Sequence, residues 1–179
     1  GDGVLAAGGD SDPTIPLRRA GEHLRLTDLA AFAAVGVSRI TVREPRLRVL
    51  ALRGNGILGA VARLIAGDAE WQGAVARLDE GGRSLDVAMA ADAADAIVAI
   101  GGTGAGRNDS SVQTLGRAGR VAVHGVALTP GETMALGFVE AKPVLLLPGR
   151  LEAALAVWLL VARRIVERLA GGHPKDELV

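Results

Sequence analysis

Asp95-Ala-Ile-Val-Ala-Ile-Gly-Gly-Thr-Gly-Ala-Gly-Arg-Asn-Asp109 is the stretch on which the fold turns. Ala96 to Ile100 is an unbroken apolar run of strand length, and reads as a buried strand. It empties into a loop carrying Gly101, Gly102, Gly104 and Gly106, and a helix-like segment follows from about Ser110. In an open α/β sheet, ligands settle at the carboxyl ends of the strands. Glycines there let the backbone approach an anion closely, and the next helix offers N–H groups. Asp109 falls near the helix start, as an N-cap or as a metal or ligand contact. The stretch therefore predicts a site for a phosphate-bearing small molecule. The plainer alternative is a tight strand-to-helix turn with no ligand.

Outward from this loop, apolar spacing alternates between the periods of strands and helices. Residues 47–52 read as a strand. Residues 57–66 read as a helix with Leu58, Val61 and Ile65 on one face and Gly67 past its end. A second strand falls within 71–78, a helix over 84–92 capped by Ser84, and a short helix over 112–118. Residues 121–128, 134–139 and 144–147 read as further strands, and 151–169 as a long closing helix with Trp158 in the core. The last two strands, joined across Ala141-Lys142-Pro143, form a hairpin, so one strand of an otherwise parallel sheet is antiparallel. The expected fold is a three-layer α/β sandwich with a mostly parallel sheet. Before it, a helix over 26–35 and a strand over 37–42 form a short extension. The expected organisation is residues 1–45 as loop and extension, 46–172 as the α/β domain and 173–179 as a tail.

Composition narrows the function. Hydrophobic residues make up 49% of the 179, enough for a sizeable core, while aromatics are only 2%. Twenty basic and twenty acidic residues cancel. Such a chain has neither the cationic field nor the stacking surface of a nucleic-acid binder. Cysteine is absent, which excludes disulfides and thiol chemistry. No apolar segment reaches the ~20 residues of a bilayer span, and no secretory signal is visible, so cytoplasm is the expected compartment. Lys175-Asp-Glu-Leu178 is followed by Val179, so it is not a terminal retention signal. His23, His124 and His173 lack metal-ligand spacing.

Five stretches, in order, resemble the molybdopterin-binding domain shared by molybdopterin molybdotransferases (the MoeA and gephyrin E-domain family) and molybdopterin adenylyltransferases. Leu29-Ala-Ala-Phe-Ala-Ala-Val-Gly-Val-Ser-Arg-Ile-Thr-Val42 is similar to the family's "LASLGI..V.V" segment, and Arg46-Leu-Arg-Val-Leu-Ala-Leu52 to its first strand. Gly101-Gly-Thr-Gly-Ala-Gly-Arg-Asn-Asp109 resembles GGxSxGxxD, or the GGTG of the adenylyltransferases. Val126-Ala-Leu-Thr-Pro-Gly-Glu-Thr-Met134 resembles "AIKPGKP", and Leu146-Leu-Pro-Gly-Arg150 resembles "GLPGNP". The resemblance covers residues 22 to 172. Departures accompany it. The family's Thr-Gly-Asp-Glu-Leu corresponds to Arg53-Gly54-Asn55-Gly56, the two lysines of "KPGKP" fall at Thr129 and Glu132, and its Asn-Pro becomes Arg150-Leu151.

The resemblance implies a protein of molybdenum cofactor biosynthesis that binds molybdopterin or adenylyl-molybdopterin, commonly as a homodimer. It implies a cradle of Gly101, Gly102, Thr103, Gly104, Gly106 and Arg107, with walls from Pro130-Gly131 and Pro148-Gly149-Arg150. It further implies Asp109 and Asp79 as catalytic acids and Asp109 as a contact for Mg²⁺. Arg150 is positioned to restore, as a phosphate clamp, part of the lost positive charge. Whether turnover survives these replacements leaves two expectations: a molybdotransferase-like enzyme, or a degenerate pterin- or nucleotide-binding module. A ligand-free dimerisation domain is the third.

Overall fold

The computed structural model describes residues 3–4, 6, 8–10, 12–52, 56–79, 84–91, 93–104, 106 and 110–172. The chain forms two compact units, Gly1–Val42 and Arg43–Val179.

In the first unit, α1 spans Leu26–Ala34, as the spacing predicts. Its start is fastened by Asp28, the third helical residue. The carboxylate accepts the Arg25 backbone N–H at 2.8 Å and the Arg18 guanidinium at 2.8 Å. The Arg18 hydrogen bond first, and the Arg25 backbone second, hold the Asp28 carboxyl at about 2 against an ordinary 3.8. A depressed pKa contributes stability above the unfolded value and loses it as pH falls through the folded one. Acidification from pH 4 to pH 2 is therefore expected to loosen the start of α1, read as faster amide exchange over 26–29. Asp28→Asn should show the loss at neutral pH. Residues 37–42, expected as a strand, run instead as irregular backbone. Alternating residues make a strand only where a neighbour completes the hydrogen-bond ladder.

The second unit holds a six-stranded sheet of β1 (Arg46–Ala51), β2 (Val75–Asp79), β3 (Ala96–Ile100), β4 (Arg120–His124), β5 (Ala135–Val139) and β6 (Lys142–Leu147). The order is β2-β1-β3-β6-β5-β4. β2, β1, β3 and β6 are parallel, whereas β5 runs antiparallel to both β6 and β4. This is the expected three-layer α/β arrangement with one reversed strand. β3 lies between β1 and β6 with every residue buried, which explains its continuous apolar sequence.

Side-chain alternation along the strands builds two cores. Leu47, Val49, Val98, Ile100, Leu145 and Leu147 face one layer of helices: α2 (Gly56–Trp71) and α5 (Leu151–Val157) with its continuation. Leu50, Ile97, Ala99, Val144 and Leu146 face α3 (Leu85–Met89) and α4 (Ser111–Ala118). α2 runs five residues beyond the expected end at 66. The burial of Ala69 and the hydrogen bonds at Asp68 outweigh the low helix propensity of Gly67. The closing helix passes through a π-helical stretch, Trp158–Ala162, into α6 (Arg163–Leu169). No described helix is long and apolar enough to cross a membrane.

Candidate functional site

The sheet's polarity decides where the turns meet. β3 and β6 end at one edge, and β5, being antiparallel to β6, begins there. Gly101–Gly104, Pro148–Arg150 and Pro130–Thr133 are thus brought to the same edge, beside the first turn of α2. They enclose a cleft of about 510 Å³, completed by Ile57, Leu58 and Ala153.

The glycine turn is held from both sides. Gly101 N–H donates to Leu147 O at 2.8 Å, continuing the β3–β6 ladder. Gly102 adopts φ +71°, in the left-handed region. Its carbonyl accepts both the Ser111 hydroxyl at 2.6 Å and the Ser111 N–H at 3.1 Å, so the turn is anchored to the start of α4. Thr103 is buried, and its hydroxyl lies 3.0 Å from that of Thr133, joining the glycine turn to the 130–133 turn. Gly131 sits at φ +133°, where an added Cβ would stand 2.8 Å from Val157 Cγ2. The Thr129–Pro130 peptide bond before it is cis.

Two described charged side chains line the cleft. Glu132 Oε2 accepts the Gly131 N–H at 2.8 Å. The backbone N–H groups of Glu132 and Gly131, with the Arg150 charge adding, hold its carboxyl below the usual range and hence ionised. Arg150 is exposed and pairs with Glu152 at 2.5 Å. A second, smaller hollow of about 250 Å³ lies across Gly102, lined by Leu52, Ser84, Leu85, Asp86, Ser110, Ser111 and Thr114.

Of the residues singled out in the sequence, the structure gathers Gly101, Gly102, Thr103, Gly104, Pro130, Gly131, Pro148, Gly149 and Arg150 around the one cleft. Gly106 does not line it. Asp79 stands apart as well: at the end of β2, nearly buried, with its carboxylate 2.9 Å from Arg48 Nε. Arg107 and Asp109 lie outside the described residues. Among the described residues no three His, Asp or Glu side chains cluster as a metal site. Sequence reading omitted Ile57, Leu58, Glu132, Thr133 and Ala153 from the lining. Thr133 was the most accessible of these, a hydroxyl two residues after Pro130-Gly131. Ile57, Leu58 and Ala153 carry no polar signal and reach the cleft only because α2 and α5 start at this edge.

Comparison with known proteins bears on the family and the fold. Residues 75–168, more than half of the chain, match the family described as "Probable molybdopterin binding domain". A Methanocaldococcus jannaschii protein named for molybdopterin biosynthesis is 36% identical over 75 residues, 41% of this chain and 19% of that protein. The crystal structure of a molybdopterin biosynthesis MoeA protein from Pyrococcus horikoshii superposes with a TM-score of 0.70 at 26% identity, covering 89% of this chain and 44% of that one. The chain therefore spans less than half the length of either relative. The tungsten cofactor synthesizing protein MoaB from Pyrococcus furiosus shares the fold at 16% identity and a TM-score of 0.53, over 75% of this chain and all of that one. On the match over 75–168, the chain belongs to the molybdopterin-binding-domain family of molybdenum cofactor biosynthesis.

Proposed function

We propose that the cleft binds molybdopterin or its adenylylated form, and that the chain serves a molybdotransferase-like step in the cytoplasm. The observation that carries this reading is the convergence of three side-chain-poor turns, 101–104, 130–131 and 148–149, on one edge of the sheet. Where side chains are small, backbone N–H groups can approach phosphate oxygens directly. The Thr103–Thr133 hydroxyl pair offers neutral donors and acceptors to a heterocycle, and Ile57, Leu58 and Ala153 offer an apolar floor. Arg150 stands ready to exchange Glu152 for a ligand phosphate.

In such a step, hydrolysis of the adenylylated pterin releases AMP while molybdate, a substrate, is taken up by the pterin. The protein's part is to orient the phosphates and stabilise charge as it develops. Mg²⁺ takes one or two carboxylates with phosphate oxygens. Glu132 supplies one carboxylate within the cleft, and Asp109 is proposed as the other. Bound there, the ion would neutralise phosphate charge. Asp79, paired with Arg48 outside the cleft lining, is given no contact with the ligand in this step.

A second reading, a binding module without turnover, is favoured by the cleft's charges. Thr129 and Glu132 occupy places where the resemblance implies lysines, and Arg150 is already paired. Calorimetric titration with molybdopterin and its adenylylated form separates the readings, followed by an assay of AMP release dependent on Mg²⁺ and molybdate. Binding with release is the expected result for the enzyme. Binding without release establishes the module, and absence of binding to either form refutes both.

A further inference from the structure

The 130–133 turn of the cleft is fixed in its backbone and loose at one side chain. Gly131 O accepts the Met134 N–H at 3.0 Å, and Glu132 O accepts the Val126 N–H at 3.0 Å. Gly125 N–H donates to Met134 O at 2.9 Å, which ties the turn to the chain before it. Gly131 is buried, and an added Cβ there would stand 2.8 Å from Val157 and 3.1 Å from Leu128. The carbonyls of Gly131 and Glu132 are therefore engaged by the fold. Their two successive N–H groups turn instead to a carboxylate in the cleft, that of Glu132 itself, with Gly131 N–H donating to Oε2 at 2.8 Å.

Successive backbone N–H groups in a turn form a concavity that binds anions. Here the anion seated on it is the side chain of the same residue. Glu132 is exposed, so its carboxylate can swing away without moving a packed atom, and it regains rotamer freedom by doing so. Arg150 lines the same cleft and its charge reaches this carboxylate, yet Arg150 itself holds Glu152 at 2.5 Å. The N–H seat and the guanidinium are each covered by a carboxylate of this chain. A small free oxyanion entering the cleft therefore meets a like charge on the donors it needs. A phosphate carried on a ring has more to bind: the apolar floor of Ile57, Leu58 and Ala153, and the Thr103–Thr133 pair.

We propose that Glu132 is an internal surrogate for a ligand oxyanion: its carboxylate occupies the Gly131–Glu132 N–H seat in the free chain and must be displaced by any phosphate that binds there. Displacement weakens every such ligand by one common factor. Small anions then fall below useful affinity, while a phosphate-bearing heterocycle with further contacts stays above it. Glu132 is thus a specificity-determining residue. This assignment rests on the cleft's being a site for a phosphate-bearing ligand. Once displaced, the carboxylate is free to serve as the cleft's cation ligand.

Calorimetry of the full chain with inorganic pyrophosphate, in buffer without magnesium, tests this. The wild-type chain should bind it poorly. Glu132→Ala opens the seat and should bind at least about 10-fold more tightly, the scale of one unfavourable charge contact removed. Glu132→Gln keeps the shape without the charge and should fall between. Molybdopterin should gain by the same factor in Glu132→Ala, because the contact displaced is the same. Glu70→Ala, exposed on α2 and away from the cleft lining, changes the net charge equally and should leave both affinities unchanged. The Gly131 and Glu132 amide protons give a direct signature by nuclear magnetic resonance. They should move upfield in Glu132→Ala and return downfield as pyrophosphate saturates it. Equal pyrophosphate affinity in the wild-type chain and Glu132→Ala, or amide protons that do not move, overturns the assignment even where molybdopterin binds the wild-type chain. A pyrophosphate gain in a chain that binds no molybdopterin upholds the seat and removes the pterin as its ligand.

Discussion

Trp158→Ala is expected to remove about 3–5 kcal/mol of stability, among the largest effects of any single substitution in this chain. The indole is completely buried against the sheet layer packed by α2. Truncation empties the largest side-chain volume in that core, and surrounding strands and helices can collapse into it only in part. A polar loss accompanies the cavity. The Trp158 Nε1–H donates to Asp68 Oδ2 at 2.7 Å, tying the closing helix to α2. Asp68 also accepts Gln72 Nε2 at 2.7 Å and lies 3.4 Å from the Arg163 guanidinium, so its charge keeps partial compensation. Trp158→Phe separates the two contributions. It retains most of the volume, loses the donor, and should cost about 1–2 kcal/mol. Urea unfolding at neutral pH measures both. The midpoint should fall with little change in slope, since the surface exposed on unfolding is nearly the same. A Trp158→Ala loss below 1 kcal/mol would mean that this part of the core repacks freely.

Much of this architecture could be read from the amino acids because its signals are strong and local. β3 is continuous Ala-Ile-Val-Ala-Ile and is buried on both faces, and the Ala141–Pro143 connection marks the reversal of β5. Ser84 precedes α3 as its N-cap residue. Where reading failed, a distant contact decided. The strand expected over 37–42 has a suitable pattern and no ladder partner among the described residues. The apolar spacing ends α2 at 66, before Gly67, yet Asp68 and Ala69 are held by the closing helix and the sheet. The π-helical stretch was equally hidden. Its wider turn rephases the closing helix, so buried positions fall at Ala154, Trp158, Ala162 and Val166, four apart, while Leu159 is exposed. At the site, glycines and prolines were visible because backbone demands restrict them. The partnership of Thr103 with Thr133, thirty residues away, depends on the order β3-β6-β5, which no local pattern encodes.

Gly102→Val tests whether the glycine turn is needed for binding or merely closes a connection. At φ +71° a side chain costs about 1–2 kcal/mol, more when branched at Cβ. An added Cβ would stand 3.3 Å from the Ser111 hydroxyl, and the branched carbons beyond it need space on one side or the other. The backbone must therefore rotate away, which breaks the two hydrogen bonds from Ser111 to the Gly102 carbonyl and releases the start of α4. The same rotation moves Thr103 off Thr133 and draws the turn out of the cleft. A displacement of about 1 Å in groups that position a ligand lowers function on the order of 100-fold, so molybdopterin binding by calorimetry should weaken by at least that factor. The sheet should survive, because β3 ends before the turn and Gly101 N–H still reaches Leu147 O. Gly116→Ala serves as the control. It lies exposed on α4 with only ordinary contact for an added Cβ, at 3.7 Å from Val121, and alanine raises helix propensity. Affinity unchanged in Gly102→Val, with the fold intact by circular dichroism, would place the ligand elsewhere. The smaller hollow across Gly102 shares the same hinge and would be disturbed too, so retained affinity would argue against both cavities.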